Sequence, residues 1–349
     1  MNLTRRQVLS TGIAAAGGAI ANGARAVEPS AVTPALIAAA KAEGKLAFYT
    51  AMDLPVAEKL AHAFEAQFPG IAVRVERSGS ERVFQRIGQE MTSGIHAVDV
   101  VNGADAGHVI AWHRNGWLAP YLPEEVARHY PAAYFDPGGI WITTRIWFSS
   151  LGYNTNLVKP EETPKTYADL LSPKWTGKMV KGHPAYSGTI MTATFILVRQ
   201  LGWPYLEKLA AQKVMQVQSS TDPPKKLALG ERAVMADGND YNLLQLKEAG
   251  QPVEAIYPAE GTPLIAGPRP VFQSAPHPNA ARLFQNWMHS APAQQLLVDF
   301  ARQHSAHPLV KEKPGTRKLE DISAWKADPV EIDKASEEIK RRYAQLFRV

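Results

Sequence analysis

The spacing of apolar residues changes repeatedly along the chain, and each change marks a switch between strand and helix. Residues 45–50 (KLAFYT) are a short apolar run that predicts a strand. Over 55–68, Val56, Leu60, Phe64 and Phe68 recur at helical spacing until Pro69 and Gly70 stop the helix. A second strand follows over 71–75, a helix over 81–93 behind Ser78, Gly79 and Ser80, and a third strand over 98–101. This β-α-β-α-β order with short connections predicts a mainly parallel sheet flanked by helices. Right-handed crossovers bring the loops after these strands to one sheet edge, where ligands sit in open sheets of this kind.

An apolar block over 141–152 opens a second series. Strands or helices are expected over 177–181, 189–201, 205–211, 214–218, 224–230 and 233–235. A strand over 253–257 leads into a proline-rich stretch, after which helical spacing resumes through Ala280, Leu283, Phe284, Trp287 and Met288. Asp328 and Pro329 provide an N-cap and a first-turn proline for a last amphipathic helix. Its apolar face (Ile332, Ala335, Ile339, Tyr343, Leu346) is read as packing.

The N-terminus changes the picture from a cytoplasmic to an exported protein. Arg5 and Arg6 precede a short, Ala- and Gly-rich apolar stretch, and Ala24 and Ala26 supply the small residues of a cleavage site. Such a stretch falls short of the ~20 apolar residues of a spanning helix and reads as a removable signal over 1–26. The paired arginines resemble the twin-arginine type, with an ordinary secretory signal as the alternative. The sequence has no cysteine, so no disulfide, no thiolate ligand and no lipidated anchor is available. A soluble periplasmic protein is expected, and a monomer.

The formal net charge is +5, but the first 26 residues hold three arginines and no acid. The remainder carries 35 basic against 33 acidic residues, a balance of +2, so no nucleic-acid partner is expected. About 320 residues after cleavage exceed what one core fills, and two lobes are expected.

At this point the chain resembles the ABC-transporter extracellular solute-binding proteins, in the branch with periplasmic ferric-ion-binding proteins. The resemblance rests on LAPY at 118–121, LGYNTNLV at 151–158, YADLL at 167–171 and PKWTGK at 173–178. YSGT at 186–189, GERA at 230–233 and APHPNAA at 275–281 extend it across the chain. It implies an α/β, two-lobed type II periplasmic-binding fold with the ligand cleft between the lobes. The implied lobes are 27–146 with 261–349, and 147–260, with chain crossings near 140–152 and 258–271. It further implies a membrane permease as partner, a small-molecule solute as cargo, no cofactor and no catalysis.

Three junctions carry small hydrogen-bonding residues before or at a helix start: Thr50 to Asp53, Ser78 to Ser80, and Ser187 to Thr189. Helix starts leave free N–H groups and ~0.5 of a positive charge, and glycine admits a ligand close to the backbone. Several together suit a carboxylate or phosphate, although each hydroxyl can also simply cap its own helix. The resemblance places such loops at the cleft. Thr50, Met52, Ser78, Gly79, Ser187, Gly188 and Thr189 are therefore candidates. Asn102, after the third strand, lies on another rim loop. For Trp141 and Arg145 packing and ligand contact are both open, while Trp147 is assigned to the core.

The ferric members hold iron through two adjacent tyrosines, aided by a histidine and a glutamate. Here the matching segment reads Asn239, Asp240, Tyr241, Asn242, so one tyrosine is present and its neighbour is asparagine. Glu81 is the candidate match for the glutamate, and no histidine stands in 50–54. A hard ferric ion is poorly served by Tyr241 and Glu81, whereas Asn239, Asp240 and Tyr241 offer donors and acceptors to an organic anion. Two alternatives remain: a ferric-ion or metal–anion binder, and an exported enzyme on the same fold. For the enzyme, no nucleophile elbow, zinc motif, P-loop or dinucleotide fingerprint is present.

Overall fold

The computed structural model describes residues 26–349, so the expected export signal lies, but for its last residue, outside the described residues. Among them no helix is long and apolar enough to cross a membrane.

Among the described residues, two five-stranded sheets and a three-stranded sheet organise the fold. In the first, Lys45–Thr50 pairs in parallel with Ala72–Arg77 on one side and with Val100–Asn102 on the other. Val271–Phe272 then joins Val100–Asn102 antiparallel and carries Leu118–Ala119 at the edge. The second sheet runs Val253–Ile256, Leu151–Asn154, Val234–Met235, Met179–Gly182, Met215–Val217. Its last three strands are parallel and its first two join antiparallel. Both sheets are thus mixed, with a parallel core where the β-α-β pattern was read and antiparallel strands where the chain returns.

The third sheet is the connection between the other two. Ile142–Phe148 leaves the first sheet for the second, Thr262–Arg269 returns, and the two pair antiparallel side by side. Ala324–Trp325 adds to Thr262–Arg269 in parallel. Alternation along Ile142–Phe148 sorts its side chains. Ile142, Ile146 and Phe148 enter an apolar cluster with Leu122, Val126 and Leu264, while Arg145 and Trp147 face the cleft.

Each large sheet has its own core. Phe48, Leu60, Phe64, Phe284 and Trp287 anchor the first, with ring centroids 5.0–5.5 Å apart around Phe64 for Phe68, Phe284 and Trp287. Leu151, Leu170, Trp175, Met179 and Leu206 anchor the second. Each fully buried side chain of this kind contributes ~1.5–3 kcal/mol. The last helix, Pro329–Phe347, packs Ile332 and Ile339 against Met191 and Ile196 and also lies along Ala106–Arg114, so it leans on both lobes.

Leu54–Gln67, Ser80–Thr92, Gly188–Leu201, Trp203–Ala211 and Pro329–Phe347 start within two residues of expectation. One region differs. Residues 239–242, for which no helix was expected, open one, Asp240–Glu248, with Asn239 at its N-cap. The strand before it is only Val234–Met235, and the bend at Ala236 and Asp237 redirects the chain.

Candidate functional site

The cleft between the lobes is a narrow cavity with free room of about 20 Å³. The first lobe contributes Ala51, Arg77, Gly79, Ser80 and Ala104, and the connecting strand contributes Arg145 and Trp147. The second lobe contributes Tyr186, Ser187, Thr189, Asn239, Tyr241 and the hydroxyl run Ser219, Ser220 and Thr221. Three helices begin here: Ser80–Thr92 behind Gly79, Gly188–Leu201 behind Ser187, and Asp240–Glu248 behind Asn239. Their first-turn N–H groups and positive dipole ends converge on one space, an arrangement suited to an anion.

Arg145 is the central side chain. It is 1% exposed, its Nε donates to Asn102 Oδ1 at 2.7 Å, and its guanidinium lies 4.5 Å from the Trp147 ring centroid. Gly267 on the paired strand makes the room: a Cβ there would stand 3.0 Å from both Arg145 Cγ and Trp147 Cζ3. Burial pushes the Arg145 pKa down, opposed by Tyr241 and Asp53 and reinforced by Arg77. Among the described residues, no carboxylate lines the cavity itself. Tyr241 packs edge-on against Trp147, with centroids 6.3 Å apart, and accepts from Asn239 Nδ2 at 3.0 Å. Burial, and then Asp53, raise its pKa, with Arg145 pulling the other way. Buried Asn239 Oδ1 and Trp147 Nε1 have no hydrogen-bond partner among the described residues, leaving an acceptor and a donor.

The two lobes touch around this cavity. Gly188 N–H donates to Ser80 Oγ at 2.8 Å, Arg82 to Gln218 Oε1 at 3.0 Å, and Asn242 Nδ2 to Asp53 Oδ2 at 2.9 Å. Gly188 permits the first of these contacts, since a Cβ would lie 2.7 Å from both Ser80 Oγ and Asp105 Cβ. Arg77, Ser219 and Thr221 continue into an outer chamber that also holds Asp53, Lys59, Asp222, Lys225 and Asn242.

The structure brings Gly79, Arg145, Ser187, Thr189, Asn239 and Tyr241 together on the cavity wall. It puts the other candidates elsewhere. Thr50 is fully buried and its Oγ1 accepts from Met52 N–H at 3.0 Å, closing a local turn. Met52 packs in the first lobe's core with Leu60 and Phe64 because its side chain points behind the loop. Ser78 spends its N–H on Thr50 O and stands one residue short of the wall. Gly188 sits at the lobe contact, and Asn102 holds Arg145 from behind. Trp141 lies at a separate apolar pocket with Tyr134 and Leu264.

Asp240 turns away from the cleft. Its Oδ1 accepts from Phe148 N–H at 3.1 Å and its Oδ2 from Tyr257 OH at 3.1 Å. Burial raises its pKa against the pull of His304. Glu81 faces the opposite side of its helix, against His108 at 2.9 Å and Lys340 at 2.8 Å. Burial alone would raise the Glu81 pKa, but His108 and Lys340 hold it at about 2. Arg77, Tyr186 and the 219–221 hydroxyls line the cavity without having been expected there, and Ser80, named only within its junction, joins them. Trp147 was expected in the core, although its strand alternates in step with Arg145.

The chain matches the profile of bacterial extracellular solute-binding proteins over residues 59–303, well over half its length. It belongs to that family. It is accordingly a periplasmic solute-binding protein of the ABC-transporter type, and its place of work is outside the cytoplasm. Iron uptake protein A1 of Synechocystis sp. is 22% identical over 281 residues, 76% of each chain. Among solved structures, the fold superposes on the periplasmic binding protein AfuA of Actinobacillus pleuropneumoniae, bound to fructose-6-phosphate. That match has TM-score 0.80 and 22% identity, over 88% of this chain and 99% of that one. Iron-bound HitA of Pseudomonas aeruginosa gives TM-score 0.75 and 20% identity over 86% and 99%. The type II periplasmic-binding fold is thereby shown, and these relatives are binding proteins rather than enzymes.

Proposed function

We propose that the cleft captures a small organic anion bearing a phosphate, phosphonate or carboxylate group, and hands it unchanged to an inner-membrane ABC permease. The observation that carries this reading is the buried Arg145 guanidinium, aimed with three helix starts into a cavity that no carboxylate lines. A buried charge is costly unless paired, so the solute is the natural counter-ion. Planar, bidentate pairing with an oxyanion suits arginine. Ser80, Ser187, Thr189 and the 219–221 hydroxyls supply further donors, while Trp147 and Tyr241 flank the solute's body. AfuA, with its sugar phosphate, is a precedent on this fold. In this reading the lobes, 27–146 with 261–349 and 147–260, close around the solute after twin-arginine export and signal removal. The chain then works as a free monomer without a lipid anchor.

A ferric cargo, as in HitA, finds two phenols, Tyr186 and Tyr241, in the cavity wall, with two arginines and no carboxylate among the described lining residues. A hard trivalent cation needs several anionic oxygens, and Asp240 and Glu81 are spent elsewhere. The donor set does not fit bare iron. A melting-shift screen of phosphate esters, phosphonates, carboxylates, amines and ferric ion tests the reading, because a ligand of the folded state alone raises stability by RT ln(1 + [L]/Kd). An anion should raise Tm. Stabilisation by ferric ion or amines alone, with every anion flat, overturns the proposal.

A further inference from the structure

Behind the cleft wall three metal-type donors meet. Glu81 stands in the first turn of Ser80–Thr92, Asp105 caps Ala106–Arg114, and His108 lies one turn into that helix. All three are buried, and each offers a donor atom within 4.8 Å of the others. Glu81 Oε1 lies 2.9 Å from His108 Nε2, and Asp105 Oδ2 lies 3.8 Å from the same nitrogen. The closer pair is at ion-pair distance, and apart from each other and Asp105 neither Glu81 Oε1 nor His108 Nε2 has a hydrogen-bond partner among the described residues, although both are buried.

The rest of each side chain is fixed. Asp105 Oδ1 accepts from Gly107 N–H at 2.8 Å, and Glu81 Oε2 accepts from Lys340 Nζ at 2.8 Å. The His108 ring stacks on Phe84, centroids 4.1 Å apart and 12° from parallel. Ligand bonds of ~2.0–2.2 Å in tetrahedral zinc sites put neighbouring donors ~3.4 Å apart, and the 2.9 and 3.8 Å separations straddle that value. Magnesium and calcium take six or more oxygens, whereas one imidazole with two carboxylates suits zinc. Asp105 and His108 also border a surface cavity, which leaves a side open for a water as fourth ligand.

We propose that Glu81, Asp105 and His108 bind one zinc ion, with Lys340 holding the outer oxygen of Glu81. The two carboxylates neutralise the dication, and the ammonium fixes the carboxylate's orientation as outer-shell partners do. The ion would staple together the two helices whose first turns carry Ser80 and Asp105 to the Gly188 contact. The test uses the chelator-stripped, full-length secreted protein, titrated with Zn²⁺ against a chromophoric chelator and with Co²⁺ followed by its visible spectrum. One equivalent of Zn²⁺ and a tetrahedral Co²⁺ band are expected. His108→Gln and Asp105→Asn, with wild-type circular dichroism, should each lose both, while Tyr241→Phe and the control His277→Gln keep them. No bound equivalent in wild type, or an equivalent retained in both cluster variants, overturns the proposal. The three side chains are then an ion-pair cluster only. Should one variant misfold, the Co²⁺ spectrum of the wild type still decides, since a purely octahedral, aquo-like band also overturns it.

Discussion

Replacing Arg145 by methionine keeps the side chain's approximate length and removes its charge. In the solute complex the guanidinium pairs with an anion out of water, and deleting one partner of a buried pair costs ~3–5 kcal/mol. At ~1.4 kcal/mol per tenfold, Kd should rise by about two to three and a half orders of magnitude. Without solute the balance is different. Methionine removes a buried cation that no cavity-lining carboxylate compensates, but it leaves Asn102 Oδ1 without its 2.7 Å donor, worth ~1.5–3 kcal/mol. These terms oppose each other, so the free variant should match wild type within ~1 kcal/mol, or ~2 °C in Tm. Titration calorimetry with the best anion from the melting screen, and thermal unfolding without it, measure the two quantities. A folded R145M protein that binds the anion within threefold of wild type would refute the reasoning. So would a free variant destabilised by several kcal/mol, because Arg145 would then be a structural residue.

Gly188→Ala puts a Cβ 2.7 Å from Ser80 Oγ and Asp105 Cβ and should oppose lobe closure by ~1–3 kcal/mol, raising Kd ~5- to 150-fold in calorimetry with little change in circular dichroism. Asn102→Leu leaves the guanidinium in place but unaimed; Kd should rise about tenfold, and an unchanged Kd would show that Arg145 needs no positioning. His289 is held neutral between Gln285 O and Thr144 Oγ1, and burial, then Arg269, push its pKa down to about 3. An unfolded histidine takes up a proton near pH 6.5, so the unfolded state binds more protons between about pH 3 and 6.5. Stability should therefore fall on acidification through that window, by up to a few kcal/mol, and His289→Gln should flatten the slope in urea titrations across it. Ferric ion, with or without citrate or phosphate, should give no tyrosinate charge-transfer band that Tyr241→Phe abolishes; such a band would revive the iron reading.

The two-lobed frame was readable because local pattern and tertiary structure agree along most of it. The apolar runs at 45–50 and 142–148 fill strands buried at nearly every position, and Pro69 and Gly70 end a helix as their chemistry requires. The helix at 240–248 was missed because its buried positions are few, Asp240, Tyr241 and Leu243, and give almost no helical stripe. The site was only half readable. Gly79, Ser187 and Thr189 follow from helix-start chemistry, which is local. Which way Glu81, Asp240 and Met52 point is decided by partners far along the chain: Lys340, Tyr257 and the core around Phe64. Arg77, exposed at a strand end, and the 219–221 hydroxyls carry no local mark separating them from ordinary surface residues. Only the packing of the second lobe against the first brings them to Arg145.

The position of the anionic group in a crystal structure of the solute complex is the most direct test of the central claim. The phosphate, phosphonate or carboxylate oxygens should lie ~2.7–2.9 Å from the Arg145 guanidinium, with Ser80, Ser187 or Thr189 donating to the same group. An anionic group bound in the outer chamber without Arg145, or a metal ion coordinated by Tyr241 in its place, would contradict the claim.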